Sequence, residues 1–245
     1  MEYIKVFNKK LIGLNNNQLK IIALISMVLD HVGLAFFPKI ELFRILGRLA
    51  LPIYAYMIAE GCAHTKNRKR YLGMILGMGL IFQIFYLVFM NDLYQGILIT
   101  FSLSIGLIYA VEGFLKNKKP LYRIFMALLI LFIMFFGIVC PILFKKSGFV
   151  IDYGIWGMFL PVIIYFAPTK WLKLICSALF LCAMAHFSIT RQWFALLSIP
   201  LLALYNGKRG KYNLKYLFYI VYPLHLVIIY GIMFLIQINK LGGKL

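Results

Sequence analysis

The chain has 245 residues, 63% of them hydrophobic and 13% charged, with a formal net charge of +19. A mean hydropathy of +0.90 excludes a soluble domain, and with no soluble basic face to carry the charge a nucleic-acid binder is excluded as well. Long apolar runs without the alternation of ~10-residue barrel strands predict an all-α, polytopic integral membrane bundle, a single domain over 1–245.

In chain order, about nine membrane-spanning helices are expected, at 19–37, 42–63, 71–90, 95–114, 121–140, 152–167, 171–187, 191–205 and 214–237, with a tilted or partly re-entrant course left open for the short sixth and eighth. The polar, basic residues before Leu19 and the span-length run after them do not read as a cleaved signal. Placing the N-terminus in the cytoplasm puts eighteen cations inside. They are Lys5, Lys9, Lys10 and Lys20, then Lys66, Arg68, Lys69 and Arg70, then Lys116, Lys118, Lys119 and Arg123. Lys170 and Lys173 follow, then Lys208, Arg209, Lys211 and Lys215. Six fall outside: Lys39, Lys145, Lys146, Arg191, Lys240 and Lys244. The asymmetry predicts an odd number of spans with the N-terminus cytoplasmic, and most of the charge becomes a topology signal or an anionic-lipid contact.

Cys62, Cys140, Cys176 and Cys182 form no CxxC pair and read as small apolar residues. Gly73, Gly77 and Gly79 in "GMILGMG" lack the ending of a phosphate loop and predict a helix-packing face.

Asp30 and His31 stand in "MVLDHVGLAFF", ten and eleven residues past Lys20, hence about 15 Å deep at the helical rise. A carboxylate there costs roughly 2.5–3.5 kcal/mol on insertion scales, and intramembrane ionisable groups are functional candidates by default. Arg44 and Arg48 share one helix face. Arg44 is shallow enough to snorkel, while Arg48 lies about 9 Å into its helix. His225 falls near the midplane and Asp152 opens the sixth span, so Asp30, His31, Arg48, Asp152 and His225 are placed in one mid-to-outer layer. Two readings of Asp30 stand side by side: it orients His31 as a general base, or it pairs with Arg48. A second set, Glu60, His64 and the basic loop "YNGKRGKYNLK", lies near the cytoplasmic face. Glu112 reads as a local pair with Lys116. No HExxH-type spacing marks a metal site.

The stretches "LKIIALISMVLDHVG", "FRILGRLALPIYAYMIAEGCAHT", "KRYLGMILG", "IDYGIWG", "LYNGKRG" and "KYLFYIVYPLHL" resemble, in order and over nearly the whole chain, the TraX family, associated with N-terminal acetylation of conjugative pilin. More distantly they are similar to transmembrane acyltransferases that use acetyl-CoA. Leu51, where the family often has an aromatic, and Gln83, where a serine–acid pair is common, depart from the pattern. The resemblance implies a multi-pass protein of the bacterial cytoplasmic membrane that transfers an acetyl group to a peptide amine, an amino sugar or a hydroxyl. It implies catalysis by His31 as base with Asp30, and with Arg48, His225 and Asp152 around the reacting atoms. Coenzyme binding is implied for Glu60, His64, Arg70, Tyr205, Asn206, Lys208, Arg209 and Tyr222. Arg48, Tyr222 and His225 are each expected to stabilise the oxyanion or position the acceptor, a relay through acetylated histidine stays open, and so does an oligomer. The competing readings are a proton-coupled transporter, for which midplane Asp, His and Arg are equally suited, and a non-enzymatic membrane partner.

Overall fold

The computed structural model describes residues 13–187, 190–211 and 214–242, so Lys5, Lys9, Lys10 and Lys244 of the charge count lie outside the described residues. Among the described residues all regular elements are helices, and strand pairing is limited to isolated bridges. Among the described residues seven helices are long and apolar enough to cross a membrane: Asn16–Phe36, Glu41–His64, Arg68–Val88, Ile97–Lys116, Pro120–Leu143, Lys170–Phe187 and Ile220–Asn239. The all-α, multi-pass expectation therefore holds.

The count falls short of nine at two places. Gly154–Phe166 has 13 residues. The expected span 191–205 is a 3-10 helix, Thr190–Leu197, followed by the short helix Ser198–Ala203. Arg191 and Gln192 open that segment with polar groups, and Pro200 denies the Leu196 carbonyl its helical donor. Helix restarts only where proline falls in a first turn that needs no N–H.

The chain divides into two compact units, Met1–Ile53 with Ser188–Leu245, and Tyr54–Phe187. In the first, α1 (Asn16–Phe36) begins with a capping box, in which Asn15 Oδ1 accepts from Gln18 N at 3.0 Å and Gln18 Oε1 accepts from Asn15 N at 2.9 Å. The span that follows is broken between α2 (Glu41–Gly47) and α3 (Ala50–His64), the latter running on into the second unit. Pro52 accounts for the break, because its ring removes the N–H that would pair with the Arg48 carbonyl. Arg48 N and Leu49 N turn instead to Ile45 O and Leu46 O, at 3.2 and 3.3 Å. α2 packs closely on α1 because two positions lack a Cβ. One added at Gly33 would collide with Phe43, and one at Gly47 with Asp30.

The second unit comprises α4 (Arg68–Phe85), α5 (Ile97–Lys116), α6 (Pro120–Met134), α7 (Gly154–Phe166) and α8 (Lys170–Phe187). α5 is its core, packed against α4, α6 and α7, with Ile99, Phe101, Ile105, Leu107, Ile108 and Ala110 buried. Hydroxyls serve as interhelical links, as expected in lipid: Ser104 Oγ lies 2.8 Å from Met158 O and Thr100 Oγ1 donates to Asp152 O at 2.9 Å. π-helical turns, Tyr86–Met90 and Phe135–Val139, extend α4 and α6. Pro141 follows the second of them and removes the donor for the Gly137 carbonyl. The expected glycine face of α4 is only partly used. Gly79 abuts Ile99, but a Cβ at Gly73 or Gly77 would meet nothing within 4 Å among the described residues, because those positions face away from α5.

The helices that close the first unit are α9 (Ser198–Ala203) and α10 (Lys215–Gly242), and α10 packs on α1.

Candidate active site

The chemistry of the first unit begins at the close α1–α2 contact. Arg48 Nη2 donates to Asp30 Oδ1 and Oδ2 at 2.6 and 2.7 Å. Arg44 Nη1 pairs with Oδ2 at 2.9 Å and lies 3.3 Å from the backbone oxygen of Asp30. Arg48 Nε reaches the Arg44 carbonyl at 3.3 Å. The Arg48 side chain is 8% exposed, so its charge stands in a poor solvent and depends on the carboxylate. Breaking such a pair costs about 3–5 kcal/mol even where the intact pair contributes little net stability. Asp30 thus takes the second of the two readings, neutralising Arg48. It also holds Arg44, which the sequence reading left to snorkel.

A backbone carbonyl, not a carboxylate, orients His31. His31 Nδ1 lies 2.9 Å from Met27 O, and His225 Nδ1 lies 3.0 Å from Val221 O. A carbonyl only accepts, so each Nδ1 carries the proton and donates it. Each Nε2 of a neutral ring is then the lone-pair nitrogen. The two rings meet edge to face with centroids 5.1 Å apart. His225 Nε2 is buried with no hydrogen-bond partner among the described residues, which is costly unless a ligand or a proton uses it. Tyr222, one turn earlier on α10, has its ring 5.9 Å from His225. It therefore stands with the histidine pair.

The loop "YNGKRG" is bound to the start of α1. Leu14 N donates to Leu204 O at 2.8 Å, Asn206 N to Leu14 O at 3.0 Å, and Asn16 N to Lys208 O at 2.8 Å. Asn206 Nδ2 donates to Gly13 O at 2.8 Å and its Oδ1 accepts from Lys208 N at 2.9 Å. Tyr205 is buried beneath the turn. Gly207 and Gly210 adopt φ of +72° and +95°, the left-handed region that favours glycine. The turn leaves Lys208, Arg209 and Lys211 exposed, with Lys20 within electrostatic range of Arg209. No acidic residue occurs in 13–20 or 204–211. Because Asn16 N and Gln18 N already donate, the side chains rather than the amides of α1 are what an anion would meet.

The remaining candidates lie in the second unit. Glu60 is buried and accepts from Lys173 Nζ at 2.7 Å, with His64 Nδ1 3.8 Å from its other oxygen. His64 is 75% exposed. Arg70 is exposed in the first turn of α4, where its N–H donates to the capping Asn67 Oδ1 at 2.9 Å. Asp152 precedes α7 and its carbonyl accepts from Thr100. Glu112 is not merely a local pair of Lys116, since it is buried and also binds Arg68 at 2.8 Å and accepts from Tyr165 Oη at 2.9 Å. Among the described residues no three His, Cys, Asp or Glu side chains converge as metal ligands would, and the four cysteines are free thiols.

A model of the family described as "TraX protein" matches residues 15–233. The probable fimbrial assembly protein FimC, serogroup H1, of Dichelobacter nodosus is 29% identical over 241 residues, covering 86% of this chain and 93% of that protein. An uncharacterized protein of Rickettsia prowazekii (strain Madrid E) is 34% identical over 92 residues, covering 37% of this chain and 35% of its own. No solved structure matches.

Proposed function

The chain belongs to the TraX family, and from that membership we propose that it is an integral-membrane acyltransferase, moving an acetyl group from acetyl-CoA to an amine or hydroxyl acceptor. The observation that carries the reading is the edge-to-face pair of His31 and His225. Each donates its Nδ1 proton to a backbone carbonyl, so that in the neutral ring Nε2 holds the lone pair a base needs. The family's association with pilin acetylation and the fimbrial-assembly name of the Dichelobacter relative favour a pilin N-terminus as acceptor.

In this mechanism the acceptor nitrogen or oxygen attacks the thioester carbonyl carbon. His31 Nε2 takes the acceptor's proton as the new bond forms. The tetrahedral intermediate then collapses, the C–S bond breaks, and the imidazolium returns the proton to the departing thiolate. A neutral His225 with Nε2 unprotonated accepts rather than donates, so it suits proton transfer better than oxyanion binding. The oxyanion falls to Tyr222 or the arginine pair. Lys208 and Arg209, with Lys20 and Lys211 near them, suit the phosphates of the coenzyme as exposed cations on a fixed turn. On the charge-derived topology that turn faces the cytoplasm, where acetyl-CoA is found, which supports the bacterial cytoplasmic membrane as the protein's location.

The test is transfer of labelled acetyl from acetyl-CoA by the purified full chain in nanodiscs, with a pilin N-terminal peptide, an amino sugar and a hydroxyl acceptor as a panel. Acetylation of one acceptor class is the expected result. No transfer together with no acetyl-CoA binding overturns the reading, and acetyl-CoA-independent proton-coupled flux in proteoliposomes would assign the histidine pair to a carrier instead.

A further inference from the structure

One end of the second unit carries more positive charge than its carboxylates can hold. In 60–70, 112–123 and 165–173 there are ten Lys and Arg residues and two acids, Glu60 and Glu112. Glu60 is taken by Lys173. Glu112 joins α4, α5 and α7. Its Oε2 pairs with Arg68 Nη2 at 2.8 Å and accepts from Tyr165 Oη at 2.9 Å, and its Oε1 pairs with Lys116 Nζ. The Glu112 side chain is 7% exposed, so it needs a cation. One cation neutralises it, and it has two, which leaves a positive charge over. Both cations are held and yet reachable. Their side chains are 47% and 76% exposed, for Arg68 and Lys116 in turn, and the Arg68 guanidinium lies 5.0 Å over the ring of Tyr109. Arg68 Nε and Nη1 take part in no bond to the described residues. An ammonium and the open edge of a guanidinium, seated on the two oxygens of one carboxylate, suit a phosphate that bridges them.

The cations stand where spans end. Lys116 is the last residue of the span Ile97–Lys116 and Arg68 the first of Arg68–Val88. Tyr122 and Trp171, near the starts of α6 and α8, are exposed as interfacial aromatics are. Headgroup phosphates lie at this level, and basic sites between helices on the cytoplasmic side are where anionic lipids are recognised. Lys69, Arg70, Lys118 and Lys119 are exposed in the same segments and disfavour the cationic end of a zwitterionic lipid. We propose that Arg68 and Lys116, seated on Glu112, bind the headgroup phosphate of an anionic phospholipid of the cytoplasmic leaflet. Glu112 positions the two cations. The site does not depend on the acyl-transfer reading.

The experiment titrates the full chain in detergent with phosphatidylglycerol or phosphatidylcholine of matched acyl chains. Native mass spectrometry reads the dissociation constant of the first lipid adduct. The wild type should prefer phosphatidylglycerol by about tenfold. Lys116→Gln removes one cation from an exposed side chain and leaves Glu112 paired with Arg68, and it should cut the preference to about twofold. Lys118→Gln, two residues on, removes the same charge from another exposed lysine and should leave the preference as it is. Arg68→Gln, which leaves Glu112 paired with Lys116, tests the site from the other side and should act like Lys116→Gln. Thermal midpoints without added lipid show which variants are folded, and either of the two site variants suffices. A wild type without preference, or a preference untouched by both site variants, overturns the proposal. Equal losses in Lys116→Gln and Lys118→Gln mean a diffuse field of charge and overturn it too. Displacement of the phosphatidylglycerol adduct by acetyl-CoA, in the wild type but not in Lys116→Gln, assigns the cations to the coenzyme and overturns the lipid assignment.

Discussion

Removing Asp30 should destabilise the protein through Arg48 rather than through His31. In Asp30→Ala the Arg48 guanidinium, on a side chain 8% exposed, loses its two contacts with the Asp30 carboxylate, and Arg44 loses one. Breaking a buried pair from one side costs about 3–5 kcal/mol. Arg44 is partly exposed and adds little, so about 3 kcal/mol is expected, more than a hundredfold in the unfolding constant. If the cost comes from a stranded charge, removing the charge as well recovers most of it. Asp30→Ala/Arg48→Leu should therefore be more stable than Asp30→Ala by about 2 kcal/mol, since apolar replacement of buried ion pairs is often neutral or stabilising. Reversible unfolding in mixed micelles, followed by circular dichroism, gives both values. Equal stabilities for the single and double variants would refute the neutralising role, as would an Asp30→Ala protein as stable as the wild type.

The glycines offer a graded comparison on the same assay. Gly47→Ala, which drives a Cβ into Asp30, and Gly33→Ala, which drives one into Phe43, should each cost about 1–3 kcal/mol. Gly73→Ala meets nothing within 4 Å and should be neutral or stabilising by up to ~1 kcal/mol from helix propensity. At the coenzyme-side turn, Lys208→Ala/Arg209→Ala should raise KM for acetyl-CoA by about tenfold with kcat little changed, and the KM of the wild type should be the more salt-sensitive. In the second unit, Tyr165→Phe removes one bond to Glu112 and should cost about 1 kcal/mol in the unfolding assay.

The helical, multi-pass fold was legible because twenty-residue apolar runs have few alternatives in lipid. Length and hydropathy failed at 191–205, where apolar content outweighed the signals of Arg191, Gln192 and Pro200. The break at Arg48 had a visible cause in Pro52, yet it matters only because α2 must seat Gly47 against Asp30, a tertiary fact. The Asp30–Arg48 pair could be named as one of two readings from depth alone. Arg44 was misjudged because snorkelling was weighed without a partner to hold it. Glu60 and Lys173 are 113 positions apart and share no periodicity that would join them. The Arg68 and Tyr165 contacts of Glu112 are equally non-local. The carbonyl bonds of His31 and His225 were findable, since a helical histidine always has the i−4 carbonyl within reach, but which nitrogen uses it required the ring orientation.

The most direct measurement of the account is the rate of acetyl transfer by His31→Ala, at saturating acetyl-CoA and with the acceptor class used by the wild type. Loss of the base should lower it by about 10²–10⁴-fold while acetyl-CoA affinity and thermal midpoint stay near those of the wild type. A His31→Ala protein that transfers acetyl at the wild-type rate would contradict the account at its centre.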